Sequence, residues 1–110
     1  MGVVWQDESY EVAWIDSSDL MQVWRKLPVE GTIGRIGPEV VAVASDEKFL
    51  TARVRRPSVL GISDHDEYYY IEKARDSDLL NGDQIAVGPM GKADFEGLRD
   101  KLHLPEAVAF

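Results

Sequence analysis

The sequence predicts an α+β domain, built from a mostly antiparallel β-sheet of five or six strands with one C-terminal helix packed on it. Apolar and polar residues alternate with period two along most of the chain, which is the pattern of strands with one buried face. Only near the C-terminus does the apolar spacing change to that of a helix. Because 110 residues is the size of one domain, we predict a single domain spanning residues 1–110.

The N-terminal part contains two predicted strands before a turn region. Residues 10–15 place every second side chain on one face. In the next segment Met21 and Val23 share a face, whereas Trp24 points the opposite way. Residues 28–38 contain three glycines and two prolines, which favour turns, so we predict a turn region there.

The middle of the chain is predicted to form the centre of the sheet. Residues 39–44 are apolar on both faces, as in a strand that is covered on both sides. Residues 49–55 resume the alternation after a polar turn. A loop or short strand at 58–66 precedes residues 67–73, which give the strongest strand pattern in the sequence.

The C-terminal helix is predicted from the change of period. Phe95, Leu98 and Leu102 recur at the spacing of an amphipathic helix of about three turns. Gly91 is its predicted N-cap, and Pro105 ends it. The apolar stripe is expected to pack on the sheet.

Composition excludes several classes of function. Twenty acidic residues stand against twelve Lys and Arg, and the formal net charge of -8 repels nucleic-acid backbones and anionic lipids. The chain has no cysteine, which excludes disulfides, thiolate metal sites and cysteine nucleophiles. We expect neither a signal peptide nor a membrane-spanning stretch, and we predict a cytoplasmic protein without a membrane partner.

Two acidic segments have the composition of metal sites without their spacing. Residues 64–67 read Asp-His-Asp-Glu, but neighbouring side chains of an extended chain point to opposite sides. Residues 76–83 contain acids, an asparagine and a glycine, yet not at the positions of a calcium-binding EF-hand loop. Asn81 and Gly82 instead indicate a hairpin turn that leads into a strand at 84–87. We therefore expect no metal ion and no cofactor.

A basic cluster in the strand at 49–55 suggests an interaction surface. Thr51, Arg53 and Arg55 are expected to face outward from that strand. The residues that we assign to the surface are Arg53, Arg55, Arg56, Tyr68, Tyr70 and Trp24. Arginines beside aromatic rings are typical of single-stranded nucleic-acid binders. The alternative is an ordinary exposed sheet face, on which acids of the neighbouring strand pair with the arginines.

The C-terminal half combines a strand at 68–73, the turn Gly-Pro-Met-Gly at 88–91, and a helix that carries Phe95 and ends in Leu-His-Leu-Pro at 102–105. In this order these features resemble a family of small bacterial proteins of unknown function. The resemblance implies a strand, a turn and a docked helix in this half of the chain. It assigns no catalytic or binding residue.

These observations predict a small acidic domain that acts by binding another protein. No serine lies in a nucleophile context and no catalytic residue is assigned, so we expect the protein not to be an enzyme. An inhibitor or immunity-type module, whose acidic surface masks a basic partner, fits this composition. Two alternatives remain: a small β-barrel-like binder of single-stranded nucleic acid, and a structural or oligomerisation module that uses its sheet edges.

Overall fold

In the computed structural model, two antiparallel sheets enclose a hydrophobic core. The structure describes residues 2–14, 20–57, 59–61 and 63–109. The first sheet has four strands that are neighbours in chain order. They are β1 (Gly2–Gln6), β2 (Tyr10–Trp14), β3 (Gln22–Lys26) and β4 (Thr32–Ile36).

The second sheet has five strands, and two helices accompany it. Its strands are β5 (Val40–Ser45), β6 (Phe49–Arg56), β7 (His65–Glu72), β8 (Val87–Met90) and β9 (Val108–Ala109). They lie side by side in the order β8-β7-β6-β5-β9. A 3-10 turn (Lys73–Arg75) and a short helix, α1 (Gly82–Ile85), connect β7 to β8, and α2 (Lys92–Leu102) connects β8 to β9.

The predicted fold class is confirmed: the structure is an α+β fold dominated by antiparallel sheet. The described part of the chain has nine strands where the sequence predicted five or six. β7 begins at His65, two residues before the predicted strand, because the β6–β7 ladder extends to the pair Arg56 and His65. Ile15, Ser58 and Ile62, which belong to the predicted strand at 10–15 and the predicted loop at 58–66, lie outside the described residues.

The core lies between the two sheets because each buries alternate side chains against the other. Tyr10 and Val12 contribute from β2, and Leu50 and Ile71 contribute from β6 and β7. All four side chains are completely inaccessible to solvent. Period two in the sequence therefore marks the inner faces of both sheets.

The outer face of β6 is also covered, which corrects the prediction that Thr51 faces solvent. Thr51 is fully buried, and its hydroxyl donates a hydrogen bond to the carbonyl of Pro105 at 2.9 Å. The segment after α2 crosses this face before β9 pairs with β5. A contact between residues 54 positions apart leaves no signal in local periodicity.

The C-terminal helix is confirmed. Gly91 is the N-cap of α2, and His103 ends it in the left-handed conformation, with φ 58° and ψ 48°. Phe95 is buried, and its ring stacks on Tyr68 of β7 with centroids 5.0 Å apart. The helix thus packs on the outer face of the second sheet. No helix among the described residues is both long enough and apolar enough to cross a membrane.

The turn region predicted at 28–38 is wrong in its middle, where β4 forms. Gly31 and Gly37 do adopt positive φ, at 92° and 122°, and they flank the strand. Gly34 is a strand residue that pairs directly with Trp24, and a Cβ at Gly34 would lie 3.8 Å from the indole ring. Only two of the three glycines in this region therefore mark turns.

The hairpin predicted at Asn81 and Gly82 is also wrong, because these residues begin α1. Asn81 is its N-cap, and the Asn81 N–H donates to the side-chain oxygen of Gln84 at 2.7 Å. Gly82 lies so close to β4 that a Cβ would come within 2.8 Å of the carbonyl oxygen of Arg35. The following strand consequently begins at Val87 rather than at residue 84.

Phe95→Ala should destabilise the domain by about 3–5 kcal/mol, because it removes a buried ring from the interface between helix and sheet. Leu98 is only half-buried, so Leu98→Ala should cost less, about 1–2 kcal/mol. Lys101→Ala, at an exposed position of the same helix, is the control and should change stability by less than about 0.5 kcal/mol. Urea denaturation measures all three. Equal, small losses for Phe95→Ala and Lys101→Ala would show that α2 is not docked.

Candidate functional site

The aromatic residues of the predicted interaction surface are divided between the two sheets. Trp24 belongs to the first sheet, where its Nε1 donates to the carbonyl of Ala13 at 3.1 Å. Tyr68 and Tyr70 lie on the outer face of the second sheet. The ring of Phe95 stacks on Tyr68 and covers it. These side chains do not form one continuous stacking platform.

Two of the three arginines of β6 pair with acids of β7. Arg56 Nε lies 2.6 Å from Glu67 Oε1, and this hydrogen bond raises the pKa of Arg56 although burial acts against it. The same bond lowers the pKa of Glu67. Arg53 pairs more loosely with Asp66, at 3.7 Å, and Arg55 is exposed. The Arg53–Asp66 pair matches the cross-strand pairing expected as the alternative to a nucleic-acid surface, whereas Arg56 and Glu67 have the parity of the buried Val54.

In the acidic segment at 64–67, His65 contacts Glu67. His65 Nε2 lies 3.4 Å from Glu67 Oε2, as expected for side chains two residues apart on one face of a strand. Across the described ranges of the chain, no three His, Asp or Glu side chains come together in a group that could hold a metal ion.

An open groove of about 750 Å³ lies at one end of the two sheets. We call it the acidic groove. The turns β1–β2 and β5–β6 and the 3-10 turn after β7 contribute its lining residues, which are Asp7, Glu8, Ser9, Ser45, Asp46, Glu47, Lys73 and Ala74. Four carboxylates thus surround one ammonium group.

Asp7 fixes the groove by accepting hydrogen bonds at both carboxylate oxygens. Its Oδ1 accepts from the backbone N–H groups of Ser9 and Tyr10, at 2.9 and 2.8 Å. Its Oδ2 accepts from the Ser45 hydroxyl and from the Lys73 ammonium, the latter at 3.0 Å. Burial acts to raise the pKa of Asp7, but the bonds from Ser45 and Lys73 outweigh it, so the pKa lies below the usual value. Asp7 is therefore ionised and connects the two sheets.

Glu8 and Glu47 are the carboxylates of the groove that the fold does not use. Asp46 fixes its own turn, since its Oδ1 accepts from the N–H groups of Lys48 and Phe49 at 2.8 and 2.7 Å. Glu8 and Glu47 are exposed and form no ion pair with any described residue. They stand on two turns that Asp7 and Asp46 hold in place.

A buried charge network, which the sequence patterns did not predict, lies beside the groove. The side chain of Asp76 is completely buried and accepts from the Tyr10 hydroxyl at 2.6 Å and from Arg35 Nε at 3.0 Å. Arg25 Nη1 lies 3.4 Å from the same carboxylate, and Arg25 Nε donates to Asp78 at 2.8 Å. The network joins three strands of the first sheet to the segment that follows β7.

Tyr10 links this network to the groove. Its ring lies between two cations, with Lys73 Nζ at 5.7 Å and the Arg25 guanidinium at 5.9 Å from the ring centroid. Burial and the hydrogen bond to Asp76 raise the pKa of Tyr10, so its hydroxyl stays protonated and donates. Burial would raise the pKa of Asp76 too, but the hydrogen bonds from Arg35 and Tyr10 outweigh it and lower that pKa.

One signal in the sequence could have located the network. Val23 and Arg25 have the same parity in β3, so an arginine occupies the face that buries Val23. A buried arginine needs a carboxylate partner. Asp76, which resembled an ordinary turn residue, is such a partner, and Arg35 was hidden within the presumed turn region.

No protein-family model matches this chain, and neither the curated proteins nor the solved structures give a significant match to it. The resemblance in the C-terminal half therefore remains one of residue pattern.

Asp76→Asn should destabilise the protein by about 3–5 kcal/mol, because it leaves Arg35 buried without its counter-charge. Asp78→Asn is the matched control. The Asp78 side chain is 37% exposed, so its loss should cost no more than about 1 kcal/mol. Chemical denaturation at neutral pH measures both variants, and equal effects would contradict a structural role for the buried carboxylate.

The stabilities of wild type and Asp76→Asn should also depend differently on pH. Because folding lowers the pKa of Asp76, the network stabilises the protein above the unfolded pKa, about 3.9, and this contribution is lost as the pH falls through the folded value. The stability difference between wild type and Asp76→Asn should therefore shrink in acid. A difference that stays constant down to strongly acidic pH would rule out this linkage.

Proposed function

We propose that this protein is a non-catalytic, protein-binding domain whose acidic groove receives a basic segment of its partner. The observation that carries the proposal is the pair of exposed carboxylates, Glu8 and Glu47, on two fixed turns of the groove. Carboxylates that the fold does not use are suited to pair with lysine or arginine side chains of another molecule.

The groove is organised before a partner arrives. Asp7 and Asp46 each accept two backbone N–H groups and so fix the turns that carry Glu8 and Glu47. A binding surface that is already ordered loses less conformational entropy on association. This supports a groove that binds its partner without rearranging.

Charge and apolar exposure at this end also support a protein partner. The net charge of -8 attracts a basic molecule from a distance and speeds its encounter. Val29, in the turn between β3 and β4, and Leu79, after the 3-10 turn, are 97% and 93% exposed. The Lys26 N–H donates to the Ser9 carbonyl at 2.8 Å, which places the turn of Val29 beside the groove. Apolar side chains near a charged groove supply the contact area that an interface needs.

Such a domain acts stoichiometrically, by covering a basic surface that its partner needs for its own activity. This is the inhibitor or immunity-type role expected from the sequence. The nucleic-acid alternative has less support, because Arg56 is engaged by Glu67 and Tyr68 is stacked on Phe95. No observation favours the oligomerisation module over the protein-binding or the nucleic-acid-binding function.

The double variant Glu8→Gln/Glu47→Gln should weaken binding of a fluorescent oligo-arginine peptide about tenfold, since two charge-assisted contacts are lost. The control variant is Asp94→Asn/Asp100→Asn, which removes the same charge from exposed positions of α2. Fluorescence anisotropy at several salt concentrations measures both, and wild-type affinity should fall as salt rises. Equal weakening by the two double variants would reject the groove as the site, because only the net charge would then matter.

A gel-shift assay with single-stranded RNA and DNA tests the nucleic-acid alternative. We expect no gel shift with the wild-type protein or with Arg53→Glu/Arg55→Glu. Salt-sensitive binding by wild type that the double variant lacks would replace the present proposal with the nucleic-acid function, because those arginines would then be the phosphate contacts.

A further inference from the structure

A second cavity, of about 250 Å³, lies between α2 and the outer face of the second sheet, away from the acidic groove. We call it the α2 cleft. Three cationic side chains line it: Arg53 from β6, and Lys92 and Arg99 from α2. They gather positive charge at one place on a protein whose net charge is strongly negative.

These three cations have hydrogen-bond donors that the fold does not use. The Nε atom of Arg53 is buried and has no hydrogen-bond partner among the described residues, and its ion pair with Asp66 is 3.7 Å long. Arg99 lies 3.9 Å from Glu106, which is also beyond hydrogen-bond length. Lys92 forms neither a hydrogen bond nor an ion pair with the residues that the structure describes.

Three other arginines of the two sheets differ from Arg53, because the fold gives each of their Nε atoms an acceptor. Arg25, Arg35 and Arg56 each donate from Nε to a carboxylate, at 2.8, 3.0 and 2.6 Å. Leaving a buried N–H without an acceptor is unfavourable, and structures of folded proteins rarely contain one. Arg53 lacks such a bond, and its side chain, which is 34% exposed and lines the cleft, keeps donors for a ligand there.

The charges and the other lining residues of the α2 cleft limit the class of ligand that it can bind. Two guanidinium groups and an ammonium group match the charge and the several acceptor oxygens of a phosphate group. Glu96 and Glu106 also line the cleft and can accept hydrogen bonds from a hydroxyl or ammonium group of the same ligand. The stacked rings of Tyr68 and Phe95 form an apolar wall. The volume is just below the range of clefts for drug-sized ligands, roughly 300–1,000 Å³, so the ligand is small.

We propose that the α2 cleft binds a small phosphomonoester that also carries a hydroxyl or ammonium group. The phosphate accepts from Arg53, Arg99 and Lys92, and the polar group donates to Glu96 or Glu106. This site is separate from the acidic groove, so neither proposal depends on the other.

Isothermal titration calorimetry with inorganic phosphate, glycerol phosphate and glycerol tests the proposal. Both phosphate compounds should bind saturably at millimolar concentrations, glycerol phosphate more tightly, and glycerol not at all. Arg99→Gln and Arg53→Gln should each weaken binding about tenfold. Arg75→Gln removes the same charge from a side chain that is 78% exposed and outside the cleft, and it should leave affinity unchanged.

A further variant separates ligand binding from a structural role. Glu106→Gln removes the carboxylate that lies nearest to Arg99, so it should strengthen the binding of inorganic phosphate several-fold. If Arg53→Gln fails to fold, Arg99→Gln still decides, because Arg99 lies on the surface helix. The proposal is overturned if neither phosphate compound binds saturably, or if Arg75→Gln weakens binding as much as Arg99→Gln does.

Discussion

The buried carboxylate of Asp76 joins the two sheets by charge, in addition to the more exposed ion pair between Asp7 and Lys73. It is completely buried, and it accepts from Tyr10 and Arg35 of the first sheet while belonging to the segment that follows β7. A buried charge is tolerated only when its partners are correctly placed. The positions of β2 and β4 relative to the second sheet are therefore constrained by one side chain, in addition to the apolar core between them.

The shape of the acidic groove depends on the contacts of Asp76. Tyr10 donates to Asp76 and presents its ring to Lys73, and Lys73 in turn holds Asp7 against Ser45. A continuous series of polar contacts thus leads from the buried network to the two turns that carry the exposed carboxylates. The backbone that carries the proposed binding surface is thus connected to the buried network.

Local patterns predict the parts of this fold that depend on neighbours in sequence. The helical spacing of Phe95, Leu98 and Leu102 and the alternation in β6 and β7 predicted the fold class and the place of α2. The glycines at 28–38 led to the prediction of a turn where β4 forms, because the contact between Gly34 and Trp24 is tertiary. The network was missed for the same reason, because Tyr10 and Asp76 are 66 residues apart. The α2 cleft needs the chain reversal after α2, which no local pattern describes.

The long sequence separation within the buried network bears on the order of folding events. Each sheet is mostly a meander of consecutive strands, so its ladders close short loops and can form early. The Asp76 contacts span 41 and 66 residues and require both sheets to be in place. Interactions that form after the transition state slow unfolding without speeding folding. We therefore expect the charge network to form late in folding, to slow unfolding and so to lengthen the lifetime of the native state.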